Sequence, residues 1–262
     1  MRYALFILLF SSLLLSLPAA SQTQQEPSEK PLYFTTGNEA NVTGTISVKG
    51  ALPKARDIDM SADPSCQKLN RKPQTEWVIT NQGRLQNAFV YVKGDKLNAY
   101  RFEIPESEVM LNQRACYFEP HVFGLRTGQT LRIINSDPTF HNVHPTPKLN
   151  QEWNQTQAQD APPMIKTFRR SEVMIPIKCN QHPWMKAYAG VMDHPFFAVS
   201  DSSGKFEIHG LPEGTYKLVI WHEVLGEQEV EMTVIPGESR NVDFTFDADK
   251  KPDILRDTYR PN

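Results

Sequence analysis

Between Lys205 and Phe246 the chain alternates apolar and polar residues with period two in four runs, KFEIHG, TYKLVIWHE, EVEMTVI and NVDFTF. Successive side chains on a strand point to opposite faces, so this pattern gives strands with one face in a core and one in water. Turn chemistry separates the runs: Asp201-Ser-Ser-Gly204, Pro212-Glu-Gly214 and Pro236-Gly237. Upstream, VTGTISVKG from Val42, NAFVYVKG from Asn87 and QTLRIINSD from Gln129 read as further strands. Twenty prolines against thirteen glycines suit many loops and little long helix. The spacing of strands and turns predicts an all-β chain of β-sandwich architecture.

A length of 262 residues allows one large or two modest domains with real cores. The net charge of −2 supplies no basic field, so nucleic acid is not an expected partner. The N-terminus reads MRYALFILLFSSLLLSLPAASQ, with a positive Arg2, an apolar run from Ala4 to Leu17, and small residues Ala19 and Ser21. This is the form of a secretory signal peptide, expected over residues 1–21, and the apolar run is short for a bilayer span. A periplasmic or secreted protein with no membrane span after cleavage is therefore expected. Residues 22–40 are polar and turn-rich, as in a linker, and residues 248–262 read as a polar tail.

Two stretches are too polar at their centres for ordinary core: HNVHPTP from His141 and KCNQHPWM from Lys178. Cys179, His182 and Met185 are spaced C-x2-H-x2-M, and His141 ends NSDPTFH after the strand QTLRIINSD. One thiolate, two imidazoles and one thioether make up the His2Cys set with a weak axial Met found at blue-copper sites. Thiolate and thioether favour Cu(I), imidazole suits both oxidation states, and a site of intermediate geometry rearranges little when one electron moves. Zinc is the main competitor for a Cys-His-His set, but a thioether is a poor zinc donor. CNQHPWM alone is a weak signal; with NSDPTFHN after a strand it becomes strong. The Asn- and Gln-rich segment 150–164 has no usable period and is expected to be a long loop beside the first ligand loop.

There are three cysteines, Cys66, Cys116 and Cys179. An odd count in an exported chain asks for an explanation. The economical one pairs Cys66 with Cys116 and keeps Cys179 as a ligand; three unrelated thiols are the alternative.

VFGLRTGQTLRIINSDPTFHNV followed by CNQHPWM resembles the cupredoxins, the relatives of plastocyanin and azurin. The resemblance implies His141 as first ligand, Cys179 as thiolate, His182 as second imidazole and Met185 as axial donor. It gives Asn142 the task of pinning the two ligand loops by hydrogen bonds. In that family the second histidine lies at the surface beneath an apolar patch, a role that falls on His182 beside Pro183 and Trp184. The H-x2-M spacing departs from plastocyanin-like loops and is nearer to the binuclear copper domain of cytochrome oxidase. That centre needs a second cysteine in the loop, which is missing here, so one copper ion is expected. The tight loop leaves His144 and His121 as alternative donors for the fourth position.

A second stretch, HPFFAVSDSSGKFEIHGLPEGTYKLVIWHEVLG, is similar to carboxypeptidase regulatory-like, transthyretin-like β-sandwich modules. VTGTISVKG and NAFVYVKG look like the opening strands of such a module. The combination is similar to exported bacterial proteins described as plastocyanin-like or methylamine-utilisation proteins. The expected fold is thus a cupredoxin-like Greek-key β-sandwich over residues 41–198 plus a transthyretin-like sandwich over 199–247. Residues 41–95 are left open between the two.

The resemblances imply an exported mononuclear copper protein that carries one electron to or from a redox protein partner, not an enzyme. The alternative is a module binding a polysaccharide or protein, with copper structural, stored or sensed. The sequence has no C-x-x-C-H for haem, no H-E-x-x-H and no H-x-H pair for a trinuclear copper cluster.

Overall fold

The computed structural model describes residues 29–52, 54–75 and 80–250. The expected signal peptide lies outside the described residues, as do the first part of the linker and most of the C-terminal tail. The regular elements run in chain order β1 (Ala40–Lys49), α1 (Pro64–Leu69), β2 (Thr80–Asn81), β3 (Arg84–Leu85), β4 (Phe89–Lys93), α2 (Asp95–Asn98), β5 (Val109–Arg114), β6 (Tyr117–Glu119) and β7 (Val122–Arg126). They continue with β8 (Leu131–Asn135), β9 (His141–Pro145), β10 (Gln155–Gln157), β11 (Met164–Lys166), β12 (Glu172–Lys178), β13 (Lys186–Met192) and β14 (Phe197–Val199). The last are β15 (Lys205–Leu211), β16 (Gly214–His222), β17 (Gly226–Val234), β18 (Ser239–Asn241) and β19 (Phe244–Asp247). The protein is all-β, as the period-two runs predict.

The described strands form four sheets. β1 is the hub of the first, flanked by β15 and β3, with β18 and β19 also paired to it. The second has the order β14-β4-β16-β17, the third β10-β9-β12-β13-β7, and the fourth β11-β8-β5-β6. Through β1 and β4, the residues left open by the sequence pair with strands from the C-terminal part of the chain. The elements from β5 to β13 pair among themselves between those two halves.

Three apolar clusters hold these sheets. Val42, Ile46, Val90, Val92, Phe206, Leu218 and Ile220 fill the space between the first and second sheets. Leu111, Phe123, Leu125, Ile133, Val143, Ile175 and Ile177 fill the space between the third and fourth. The third cluster joins the two pairs, with Phe89, Tyr91 and Val219 meeting Val122, Met174 and Met192. The run AFVYV explains this junction. A strand apolar at every position is one buried on both faces, and β4 sends Val90 and Val92 one way and Phe89 and Tyr91 the other.

Two glycines make room for it. Gly190 and Gly124 sit opposite each other in the β13–β7 pair. A Cβ on Gly190 would stand 2.3 Å from Phe89 Cζ, and one on Gly124 would stand 2.3 Å from Phe197 Cε2. The missing side chains form a flat seat for two rings, each worth about 2–3 kcal/mol when fully buried.

Among the elements that escape the sequence pattern, two bear on the site. β10 is a three-residue strand within the segment expected to be loop; it pairs with β9 and is too short to show a period. α1 is a short helix capped by Asp63, whose side chain accepts from the Ser65 and Cys66 N–H groups, with Pro64 in its first turn. Among the described residues no helix is long and apolar enough to cross a membrane.

Candidate metal centre

The two motif stretches meet. β9 begins at His141, β12 ends at Lys178, and the strands are antiparallel with Lys178 opposite His144. Cys179 therefore leaves the sheet beside the start of β9. The turn that follows is closed by two backbone bonds: the Met185 N–H donates to the His182 carbonyl at 2.9 Å, and the Cys179 N–H donates to the Met185 carbonyl at 3.2 Å. This winding returns His182 toward Cys179 and His141.

The result is a three-residue cluster. The Nδ1 atoms of His141 and His182 are 2.9 Å apart, and Cys179 Sγ lies 3.8 Å from His182 Nδ1. One donor atom from each of the three lies within 4.8 Å of the others, and all three residues are buried. Each imidazole is held at its far nitrogen by a carboxylate. Asp137 Oδ2 lies 2.8 Å from His141 Nε2, and Asp63 Oδ2 lies 3.1 Å from His182 Nε2. A carboxylate at Nε2 fixes the tautomer and leaves Nδ1 free to face the cluster. Asp137 is itself pinned by the Ala115 and Cys116 N–H groups, and Asp63 by the Thr139 hydroxyl.

Electrostatics follow from these contacts. Burial pushes the Cys179 thiol up, but hydrogen bonds involving His141 and His182 and the Asn142 N–H outweigh it and bring it down to about 6. Burial pulls the His141 imidazolium down, but the Asp137 carboxylate and the Cys179 thiolate outweigh it and hold it above its ordinary value. For Asp63, burial raises the carboxyl, while Thr139, the Cys66 and Ser65 N–H groups and His182 together lower it.

The donor set fits a soft transition metal. Two imidazole lone pairs at 2.9 Å repel unless a proton or a cation lies between them. A metal ion held there would take the place of a proton shared between the two Nδ1 atoms. His141, Cys179 and His182 would hold the ion, and Asp137 and Asp63 would orient the two rings.

Met185 is fully buried in the same apolar cluster as Cys179 and is bonded through its backbone to Cys179 and His182. Asn142 joins the two loops: its N–H donates to Cys179 Sγ at 3.3 Å, and its side-chain oxygen accepts from the Asn180 N–H at 3.2 Å. The two alternative donors are engaged elsewhere. His144 bonds Asn180 Oδ1 and Glu152 Oε1, at 3.0 and 2.6 Å. His121 bonds the Lys186 carbonyl and Glu223, at 3.0 and 2.5 Å. Neither belongs to the cluster of His141, Cys179 and His182.

Cys66 and Cys116 are joined by a disulfide, and Cys179 is the free cysteine. The bridge changes one expectation. His182 is 5% exposed, not a surface ligand. α1 brings Asp63 onto its outer nitrogen, Cys66 Sγ lies 3.7 Å from the same atom, and the Trp184 ring lies 5.1 Å away, centre to centre. Asp63 and Asp137 are the residues that sequence reasoning missed. Asp137 had a signal, since it lies four residues before His141 in the same motif. Asp63 had none, being separated from His182 by 119 positions.

No protein-family model matches the chain, and no curated protein matches it. Among solved structures, a copper-containing nitrite reductase from Thermus scotoductus SA-01 aligns at 17% identity and a TM-score of 0.31, over 34% of this chain and 23% of that one. A reduced amicyanin variant aligns at 19% identity and a TM-score of 0.30, over 34% of this chain and 87% of its own. A purple cupredoxin from Nitrosopumilus maritimus aligns at 16% identity and a TM-score of 0.28, over 32% of this chain and 99% of its own. The chain thus spans less than a quarter of the nitrite reductase.

Proposed function

We propose that this chain is an exported mononuclear copper protein that carries one electron between redox protein partners. The observation that supports it is the convergence of His141 Nδ1, His182 Nδ1 and Cys179 Sγ in a buried cluster whose outer nitrogens are both fixed by carboxylates. When bound, copper supplies the Cu(II)/Cu(I) couple. The chain supplies the rest. Two antiparallel strands and a closed turn fix the donors in place, so little reorganises when the charge changes. The thiolate is already favoured before metal arrives. Burial excludes water from the cluster.

In the same reading the strands around β1 and β16 form a carboxypeptidase regulatory-like sandwich with the ligand-bearing strands set between its halves. Met185, buried in the same apolar cluster as Cys179, would supply the fourth donor to the copper. The runner-up is a non-redox module that binds a polysaccharide or protein partner, with copper structural, stored or sensed; the buried state of His182 slows exchange and so favours the carrier over storage. Loading with Cu(II) followed by metal analysis, optical and spin-resonance spectra tests the proposal. One copper per chain, an intense thiolate-to-copper band and a reversible couple are expected. Cys179→Ser keeps nearly the same size but offers a hard hydroxyl, and should abolish the band with the fold retained. A wild-type protein without that band, or a serine variant that keeps it, refutes the reading. Rapid loss of Cu(I) to a modest chelator would favour storage.

A further inference from the structure

With the outer nitrogen of His182 covered by Asp63 and the disulfide, the surface above that imidazole is not the evident contact for a partner. A different face is built for one. A groove of about 620 Å³ runs between segments 149–153 and 165–170. Lys166, Arg169 and Arg170 line it, together with Trp153, Leu149 and Ile165. No carboxylate lines it, and among the described residues no ion pair engages these three cations. Leu149 and Ile165 are more than half exposed, at 56% and 53%.

The groove is rigidly made. Asn150 Oδ1 accepts from the Arg169 and Arg170 N–H groups, and its amide donates to the Arg170 carbonyl. Glu172 is committed to the Lys148, Leu149 and Asn150 N–H groups, and Glu152, within the 149–153 segment, pairs with His144. The Lys166 ammonium lies 4.6 Å from the Trp153 ring centre. An apolar strip with unpaired cations on a fixed frame is the composition of a docking surface for a negatively charged partner.

It is also wired to the thiolate. Trp153 packs against the apolar cluster that holds Cys179 and Met185. Its neighbour Asn154 accepts a hydrogen bond from the Asn142 side chain, and the Asn142 N–H donates to Cys179 Sγ. A partner seated against Trp153 is thus linked to the Cys179 sulfur through Asn154 and Asn142, by one covalent step and two hydrogen bonds.

We infer that this groove is the docking face for an acidic one-electron redox protein, with Arg169, Arg170 and Lys166 steering it and the Trp153–Asn154–Asn142 path leading to Cys179. The inference rests on the copper-carrier reading. The step it serves moves one electron from Cu(I) to the oxidised partner, leaving Cu(II) and the reduced partner, with no proton or ligand transferred.

The test uses the copper-loaded full chain and two inorganic oxidants, anionic hexacyanoferrate(III) and a cationic cobalt(III) complex. Steering by surface charge changes association rates 10- to 1,000-fold and fades with salt. Arg169→Glu with Arg170→Glu should slow oxidation by hexacyanoferrate at least tenfold at low ionic strength. The cationic oxidant should not be slowed, and the difference should vanish in high salt. Arg169→Gln with Arg170→Gln should give a smaller loss of the same sign, and the thiolate-to-copper band should be unchanged in both. Unchanged rates with the band intact overturn the groove assignment alone, as does equal slowing with both oxidants. Absence of the band in the wild type overturns the carrier reading beneath it. Loss of retention on a polyanionic polysaccharide column, with the hexacyanoferrate rate unchanged, would give the groove to a polymer and overturn the inference.

Discussion

Breaking the Cys66–Cys116 bridge should cost a large share of the stability of this protein. The bridge closes a sequence separation of 50 residues. In the chain-entropy description a loop of that length removes enough freedom from the unfolded chain to stabilise the fold by about 4 kcal/mol. A domain is stable by only about 5–15 kcal/mol in all. Both sulfurs are fully buried, so Cys66→Ala with Cys116→Ala adds a packing loss on the order of 1 kcal/mol per site. Comparing the oxidised wild type with the same chain under a non-thiol reductant separates the two, because reduction opens the loop and keeps the sulfur volume. The assay is denaturant unfolding of the metal-free protein followed by tryptophan fluorescence. Reduction should lower the unfolding free energy by about 4 kcal/mol and raise the denaturant dependence, since an open chain exposes more surface. The alanine pair should fall somewhat further. A loss on reduction below about 1 kcal/mol, with the denaturant dependence unchanged, would refute the entropic argument and mean that the unfolded chain is already held compact there.

Further expectations concern the centre and the cores. Met185→Leu should keep copper and raise the potential, since an apolar neighbour disfavours Cu(II), whereas Met185→Gln should lower it. If voltammetry shows no shift in either variant, Met185 only packs. Asp63→Asn keeps a competent helix cap but removes the negative charge from His182 Nε2, so the potential should rise while thermal stability changes by about 1 kcal/mol or less. Unchanged potential and spectra in both Asp63→Asn and Asp63→Ala would reduce Asp63 to a helix cap. His194 is lowered to about 4 by burial and then by the nearby Arg126 charge; His222 is lowered to about 4 by burial, with Glu223 opposing it and His121 reinforcing it. Between about 4 and the ordinary 6.5 the unfolded chain binds more protons, so the stability these groups give is complete above 6.5 and is lost as pH falls through 4. That loss should reach on the order of 3 kcal/mol per histidine near pH 4, and a stability profile that stays flat from pH 6.5 to 4 would contradict it.

Much of the candidate centre could be read because its residues are local. Cys179, His182 and Met185 occupy one turn, and His141 is announced by the strand before it. The covering of His182 could not be read. It depends on a capped helix of six residues, too short for any periodic signal, delivered across 119 positions by a disulfide whose pairing the sequence suggests but whose place over the imidazole it does not. The all-β architecture was legible because alternation marks strands with one wet face. The junction between the two cores was legible only in part. The unbroken apolar run at β4 says that both faces are covered, but not that Phe89 lands on Gly190. That match is a property of two surfaces, and neither sequence segment contains it alone.

The pairing of β1 has a consequence for how the protein is made. β1 is complete by Lys49, yet its main neighbours begin at Lys205, Ser239 and Phe244. During synthesis it waits, with Val42, Ile46 and Val48 uncovered and a single residue pair to β3, while every strand of the metal centre emerges and can pair. The cluster of His141, Cys179 and His182 can therefore form before the strands around β1 are complete. A chain cut short before Ser239 would keep its full donor set and still leave the first strand without part of its sheet. Such a fragment presents an apolar edge, and unpaired edges of that kind recruit other chains. The last short strands, β18 and β19, thus decide whether that edge is covered.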